Sequence, residues 1–320
     1  MHRLITERIV PKLGNPALAP LLDSAILNIS KTRLALTTDS FVVKPIFFPG
    51  GDIGRLAVCG TINDLAAVGA VPRFLTLALI LEEGLPLEVL DRVLDGIAAA
   101  ASEADVIVAT GDTKVVERGA ADGMYINTAG IGEVPAGRNL SPKNIQPGDV
   151  VLTTGTLGDH GIAVMSRREG IEFTTELVSD VAPLASVMEA MMAAAPSVRC
   201  LRDPTRGGAA MTLGDFARES GTAVWIEEAR VPIRPEVAGA CEMLGIDPLY
   251  VASEGKYLVV CPGDESEAAL AALRSHPLGR HAARIGEVRA APAGKLVLST
   301  RIGGRRLVEM PHGEMLPRIC

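Results

Sequence analysis

The sequence predicts a soluble α/β protein of two domains, and three observations carry that expectation. A chain of 320 residues is long enough to bury two separate hydrophobic cores. Strand-like and helix-like segments alternate along its whole length. The stretch 135–149, PAGRNLSPKNIQPGD, interrupts the alternation with Pro, Gly and Asn and little apolar content, and marks a domain boundary.

In the first half, 34–38, 74–81, 106–110 and 124–131 read as strands. Between them, 55–70 and 87–104 have helical spacing, and Pro86 stands where a helix begins. In the second half, 150–154 reads as a strand, followed by the glycine-punctuated loop GTLGDHG at 155–161. Helices are expected over 177–195 and 208–219, and short strands over 223–226 and 257–261. This gives domains over 1–135 and 150–308. Beyond Val308 the sequence EMPHGEMLPRIC has two prolines, a glycine and little to bury, so 309–320 is expected to be a flexible tail.

Composition narrows the function classes. A net charge of −7 with only 3% aromatic residues argues against nucleic acid, which wants a basic face and stacking rings. A nucleotide remains compatible, because a metal ion reverses the local sign of charge. The longest apolar runs, such as 74–81, are too short to span a bilayer, so no membrane partner is expected. Glu7, Lys12 and Asp23 leave no apolar stretch resembling a signal peptide near the start. Five scattered cysteines without a CxxC pair (Cys59, Cys200, Cys241, Cys261 and Cys320) read as reduced thiols of a cytoplasmic protein. The internal ones sit mostly in apolar company and are expected in the core.

Several polar residues stand where an apolar element would otherwise continue. Asp39 follows 34–38 directly, Asp112 follows 106–110 through Gly111, and Asn63-Asp64 interrupts an apolar helical stretch. An unpaired carboxylate in such a place costs several kcal/mol, about 1–3 or more by mutational data. A magnesium ion shared with phosphates would compensate it. Each Asp also has a plain reading as a helix cap or turn closer, although Asp64 lies inside a helix rather than at its start. Lys114 in GDTK places a cation beside Asp112, suited to a phosphate or a developing oxyanion or simply to solvent. The glycines of GTLGDHG could offer N–H groups to phosphate, a weak signal, and His160 within it is equally a turn residue. Asp203 and Arg206 flank a polar turn entering a helix, where Asp203 caps or binds metal and Arg206 suits a phosphate or carboxylate. Glu254 precedes an apolar strand and is a candidate general base or a rim carboxylate. Cys320, after Leu-Pro-Arg-Ile at the chain end, has no packing role on such a tail and reads as a reactive thiol.

Taken together, TTDSF (37–41), INDLAAVGA (62–70), GDTKVV (111–116), DPTRGG (203–208) and terminal PRIC (317–320) resemble the HypE family of hydrogenase maturation proteins. The resemblance covers essentially the whole chain, and PRIC is its most specific piece. It implies a two-domain PurM-like fold, of the aminoimidazole ribonucleotide synthetase type, that forms homodimers through its N-terminal domains and binds ATP near that interface. It implies a carbamoyl dehydratase: HypF delivers a carbamoyl group to the terminal cysteine, and ATP and Mg2+ serve to remove water from it. The resulting thiocyanate supplies the cyanide ligands of [NiFe]-hydrogenase iron, with the HypC–HypD complex as recipient. Carried over by position, Asp39, Asp64, Asp112 and Asp203 would hold metal and phosphates, with Asp23 a weaker member. Asn63, Thr113 and Arg206 would join the nucleotide site. Lys114 and Glu254 would act on the carboxamide carried by Cys320. Family members begin with a glycine-rich segment upstream of the part matching the start of this sequence, so a less complete cover over ATP is expected here.

Two alternatives stand beside this reading. One is a kinase or synthetase of the same superfamily acting on a free small molecule. The other is a carrier whose tail ferries a group between partners.

Overall fold

A computed structural model describes residues 22–169 and 177–309, together with Glu7, Lys12 and Asn15. The expected tail, including Cys320, lies outside the described residues apart from Glu309.

The first sheet has five strands: β1 (Ala25–Ile29), β2 (Thr32–Phe41), β5 (Val71–Glu82), β6 (Ile107–Val116) and β7 (Met124–Glu133), in the order β1-β2-β7-β5-β6. A short hairpin, β3 (Phe47–Phe48) and β4 (Gly51–Asp52), leads into helix α1 (Ile53–Ala67). Asp52 caps that helix, its carboxylate accepting the N–H groups of Gly54 at 2.7 Å and Arg55 at 3.0 Å. Helix α1 is apolar nearly all round because it is enclosed on all sides. It packs on β2 and β7, with helix α2 (Leu87–Glu103) beside it. Both helices lie on one face of the sheet. The opposite face carries the exposed side chains of Leu36, Phe74, Ile80 and Ile131.

The second sheet has seven strands in the order β14-β13-β10-β12-β8-β11-β9. They are β8 (Val150–Thr153), β9 (Cys200–Arg202), β10 (Ala223–Glu227), β11 (Leu258–Cys261), β12 (Ala283–Arg289), β13 (Lys295–Ser299) and β14 (Arg305–Val308). Helices α4 (Ala185–Ala194) and α7 (Ser266–Ser275) pack against Val150, Leu152, Val259 and Cys261. Helix α5 (Gly208–Ser220) packs against Val151, Leu258 and Val260 on the other face. Coverage on both faces explains why VVLT and LVVC show no polar alternation. Helices α3 (Asp159–Glu169) and α6 (Pro235–Leu244) complete this half. The two-domain α/β expectation is met.

Besides elements that the sequence reading did not anticipate, among them β12, β13 and β14, some anticipated ones have other limits. The helix expected over 177–195 begins only at Ala185. Pro183 disfavours helical backbone at the residue before it, and 177–184 forms neither helix nor strand. The strand expected over 106–110 continues to Val116, so GDTK lies inside β6 rather than in a turn after it. Likewise Asp39 is within β2, which runs through Phe41. The four described cysteines are free and buried, as expected of core residues. Among the described residues no helix is long and apolar enough to cross a membrane.

Candidate active site

A small cleft between the domains gathers Asp39, Asp64, Asp203, Arg206 and Glu254, with Ser40, Phe41, Gly60 and Thr205 completing its walls. Its cavity volume is about 50 Å³, room for an ion and some water. Asp39 lies on the helix side of β2, and its Oδ1 accepts the Ser40 N–H at 2.8 Å. Asp64 projects from α1 and accepts the Thr37 hydroxyl at 3.1 Å. Asp203 and Arg206 come from the turn between β9 and α5, which is tied down by the Ser253 N–H donating to Pro204 O at 2.9 Å. Glu254 follows directly and is 2% exposed.

The electrostatics are those of crowded carboxylates. Burial is the main cause that pushes the Asp64 carboxyl well above its ordinary value, and Asp203, Asp23 and Asp39 add to it. Burial likewise raises Asp203 to about 7, reinforced by Asp23. Glu254 is raised well above the usual carboxylate range by burial first, then by Asp203, Asp180 and Asp39, with Arg206 opposing. Its Oε1 is buried and has no hydrogen-bond partner among the described residues. An unpartnered carboxylate oxygen in a negative pocket is suited to take up a proton.

Among the described residues no three carboxylate, histidine or cysteine side chains converge into a closed metal cage. Magnesium does not require one, since it is usually held by one or two carboxylates plus water and phosphate oxygens. Asp39, Asp64 and Asp203 repel one another, Arg206 offsets Asp39 and Arg202 offsets Asp203, and one or two of these carboxylates would suit that open arrangement.

Other sequence candidates are placed elsewhere. Asp112, Thr113 and Lys114 sit on the exposed edge strand β6. Parallel pairing sets Asp112 beside Ala78 and Lys114 beside Ile80. Asp112 and Lys114 therefore project from the uncovered sheet face, opposite α1 and the cleft. They form an exposed ion pair of 3.4 Å, a contact that contributes little by itself. Within one chain they do not join Asp39, Asp64 and Asp203.

Asn63 is also corrected. Its amide nitrogen donates to Ala182 O at 3.1 Å and Glu254 O at 3.2 Å, and its oxygen accepts the Leu184 N–H at 2.8 Å. The side chain joins the domains, and all three of these contacts are to backbone. Asp23 pairs with Arg202 at 2.9 Å. In GTLGDHG the N–H groups of Gly155, Gly158 and Gly161 are already donated to Thr153 Oγ1, Ser253 Oγ and Ala252 O, so they do not cradle phosphate. His160 is buried, with Nδ1 at 2.8 Å from Ser179 Oγ. The sequence reading missed Asp180, whose Oδ1 accepts the Glu254 N–H at 3.0 Å. The only signal for it was Pro183, which takes 177–184 out of the helix.

Fold and cleft together define an AIR synthase related protein: the N-terminal domain of that family matches residues 22–134 and its C-terminal domain matches 146–299. The chain is 49% identical to the carbamoyl dehydratase HypE of Azotobacter vinelandii, over 100% of this chain and 94% of that protein. A solved HypE–HypF complex superposes with a TM-score of 0.91 at 47% identity, covering 96% of this chain and 99% of that one. A HypE crystal structure in complex with ATP gives a TM-score of 0.87 at 47% identity, covering 100% and 96%. The chain belongs to the carbamoyl dehydratase HypE family.

Proposed function

We propose that the chain dehydrates a carbamoyl group carried as a thiocarboxamide on Cys320, using ATP and giving a protein thiocyanate. The carrying observation is Glu254, a buried carboxylate with an unpartnered oxygen, placed beside the open carboxylate set Asp39, Asp64 and Asp203. An amide oxygen is a poor leaving group, so it attacks the γ-phosphorus of ATP and ADP leaves. The nitrogen carries two protons: one is lost to solvent as the phosphorylated imidate forms, and Glu254 takes the second as the carbon–oxygen bond breaks, inorganic phosphate departs and the carbon–nitrogen triple bond forms. Mg2+, held by Asp39, Asp64 and Asp203, would supply charge neutralisation to the phosphates when bound. Arg206, at the cleft mouth, is placed to meet a phosphate or the carboxamide.

The partners follow from the same reading: HypF as carbamoyl donor and the HypC–HypD complex as acceptor of cyanide for hydrogenase iron. Work in the cytoplasm agrees with the free, buried cysteines. The working limits of the parts are 1–135, 150–308 and a tail over 309–320.

We further propose a homodimer through the first sheet. Its uncovered face presents Leu36, Phe74, Ile80 and Ile131 together with Asp112 and Lys114. A second copy there would bury the apolar patch and bring Asp112, Thr113 and Lys114 to the seam, so that the nucleotide site is completed across it. Sedimentation is expected to give a dimer for the unmodified chain and a monomer for the Phe74→Asp, Ile131→Asp double variant. An unmodified chain that stays monomeric at micromolar concentration would contradict the dimer.

The metal proposal has its own test in Asp64→Asn. The folded chain holds the Asp64 and Asp203 protons more tightly than an unfolded chain does. The stability they contribute is therefore fully present below about pH 3.9. It is lost as pH rises through the raised values, about 7 for Asp203. At pH 8, Asp64→Asn should therefore raise the stability of the ligand-free protein by roughly 0.5–2 kcal/mol. The same variant should weaken Mg-ATP binding by about tenfold or more, and chelation of Mg2+ should weaken ATP binding to the unmodified chain. Calorimetry that finds unchanged nucleotide affinity in Asp64→Asn would remove Asp64 from the site.

A further inference from the structure

The irregular segment 177–184 lies between the two domains and is fixed to the first. The Ser179 N–H donates to Pro49 O at 2.8 Å, Arg55 Nε donates to Val181 O at 3.2 Å, and Asn63 holds Ala182 and Leu184. From the other side of this segment Asp180 reaches the second domain. Its Oδ1 accepts the N–H of Glu254 at 3.0 Å, while its Oδ2 stands 3.7 Å from Lys256 Nζ. Lys256 in turn donates to Gly255 O at 2.9 Å. Glu254 belongs to no strand, since β11 starts only at Leu258. Side chains, not a sheet ladder, hold its peptide: Asp180 takes its N–H and Asn63 its carbonyl.

The local sequence leaves room for this arrangement. A Cβ at position 255 would stand 1.6 Å from Asp180 O, and one at position 155 would stand 2.7 Å from Lys256 Cε. At 255 the neighbour is backbone and only glycine admits so close an approach, whereas at 155 the neighbour is the end of the Lys256 side chain. The ion pair itself is nearly enclosed, with side-chain exposures of 12% for Lys256 and 3% for Asp180. A buried pair of this kind is weak evidence for stability, because desolvation offsets its attraction. Its placement against a catalytic peptide supplies another reason for it.

We infer that Asp180, held in place by Lys256, is a positioning residue that fixes Glu254 relative to the domain carrying Asp39 and Asp64. This rests on the reading of Glu254 as the base. A base must lie within hydrogen-bond reach of the proton it takes, and misplacement by about 1 Å can slow a reaction about a hundredfold.

The test is a single-turnover measurement on the full-length chain carbamoylated at Cys320, following loss of water by intact mass at varied Mg-ATP. Asp180→Ala is expected to slow dehydration at saturating Mg-ATP by about 10–100-fold, with half-saturation moved by less than about twofold. Asp180→Asn retains an oxygen that can accept the Glu254 N–H and is expected to recover the rate to within about fivefold. A normal rate in Asp180→Ala, or an Asp180→Asn as slow as Asp180→Ala, would overturn the inference. Should Asp180→Ala not fold, Asp180→Glu decides: it keeps the charge facing Lys256 but moves the acceptor by one methylene. A slow Asp180→Glu supports positioning and a normal one overturns it. Glu254→Gln run in parallel separates the two levels. Normal dehydration there refutes the base reading, whereas an inactive Glu254→Gln beside a normal Asp180→Ala refutes only the positioning.

Discussion

Glu254→Gln is expected to accept a carbamoyl group on Cys320 at the normal rate and then to stop, with dehydration slowed by about 10²–10⁴-fold. Glutamine fills the same volume in the buried position but cannot take the nitrogen proton. On this reading loading does not use Glu254, so it should be spared. The pH profile gives a second reading of the same residue. Burial and the carboxylates of Asp203, Asp180 and Asp39 raise the Glu254 carboxyl, so it holds its proton well above the ordinary carboxylate range. A base works only when ionised, so the dehydration rate should climb as pH rises through that raised value. In Glu254→Gln the climbing limb should disappear along with most of the rate. Intact mass after incubation with donor and Mg-ATP measures both stages, and normal progress to the thiocyanate form would mean that another group takes the proton.

The other large effect belongs to the chain end. Cys320→Ala should remove all product while leaving Mg-ATP binding within about twofold, because the carboxylates proposed to hold the metal lie in the cleft and not on the tail. From Val308 to the end there are a dozen residues, and at most about 3.3–3.6 Å per residue gives a reach of roughly 40 Å. Self-modification requires the cleft to lie within that span of Val308. Residues appended after Cys320 should slow dehydration sharply, since a channel that takes a chain end has no room for more chain. A Cys320→Ala protein that still consumes ATP when given the carbamoyl donor would point to a free small-molecule substrate, and the synthetase alternative would replace the present reading.

The residues of the cleft were legible because carboxylates are conspicuous in apolar surroundings. Asp64 breaks a helix that is otherwise enclosed, and Glu254 stands just before a strand whose two faces are both covered. GDTK misled for a physical reason. A glycine followed by polar residues looks like a turn, but the same residues suit an edge strand with an open face, where nothing demands apolar alternation. Sequence spacing therefore could not tell that Asp112 and Lys114 lie on the opposite side of the sheet from Asp39. Asn63 beside Asp64 was drawn into the same site by adjacency, although neighbours on a helix point about 100° apart and Asn63 faces the other domain. Asp180 was hidden because 177–184 was merged with α4 despite Pro183. The strands β12 and β13 were missed since their pairings with β8 and β10 are long-range, β10 pairing in parallel with β13 across about seventy residues of chain, and β14 joins only as an edge hairpin on β13.

The central claim, that ATP activates the carbamoyl oxygen on Cys320 for departure, is tested most directly by following that oxygen. The chain would be carbamoylated with a group bearing a heavy-oxygen label and then given Mg-ATP in a single turnover. The account predicts one ADP and one labelled inorganic phosphate per thiocyanate formed, with the label gone from the protein. Label recovered in bulk water, or retained on the chain while ATP is consumed, would contradict it.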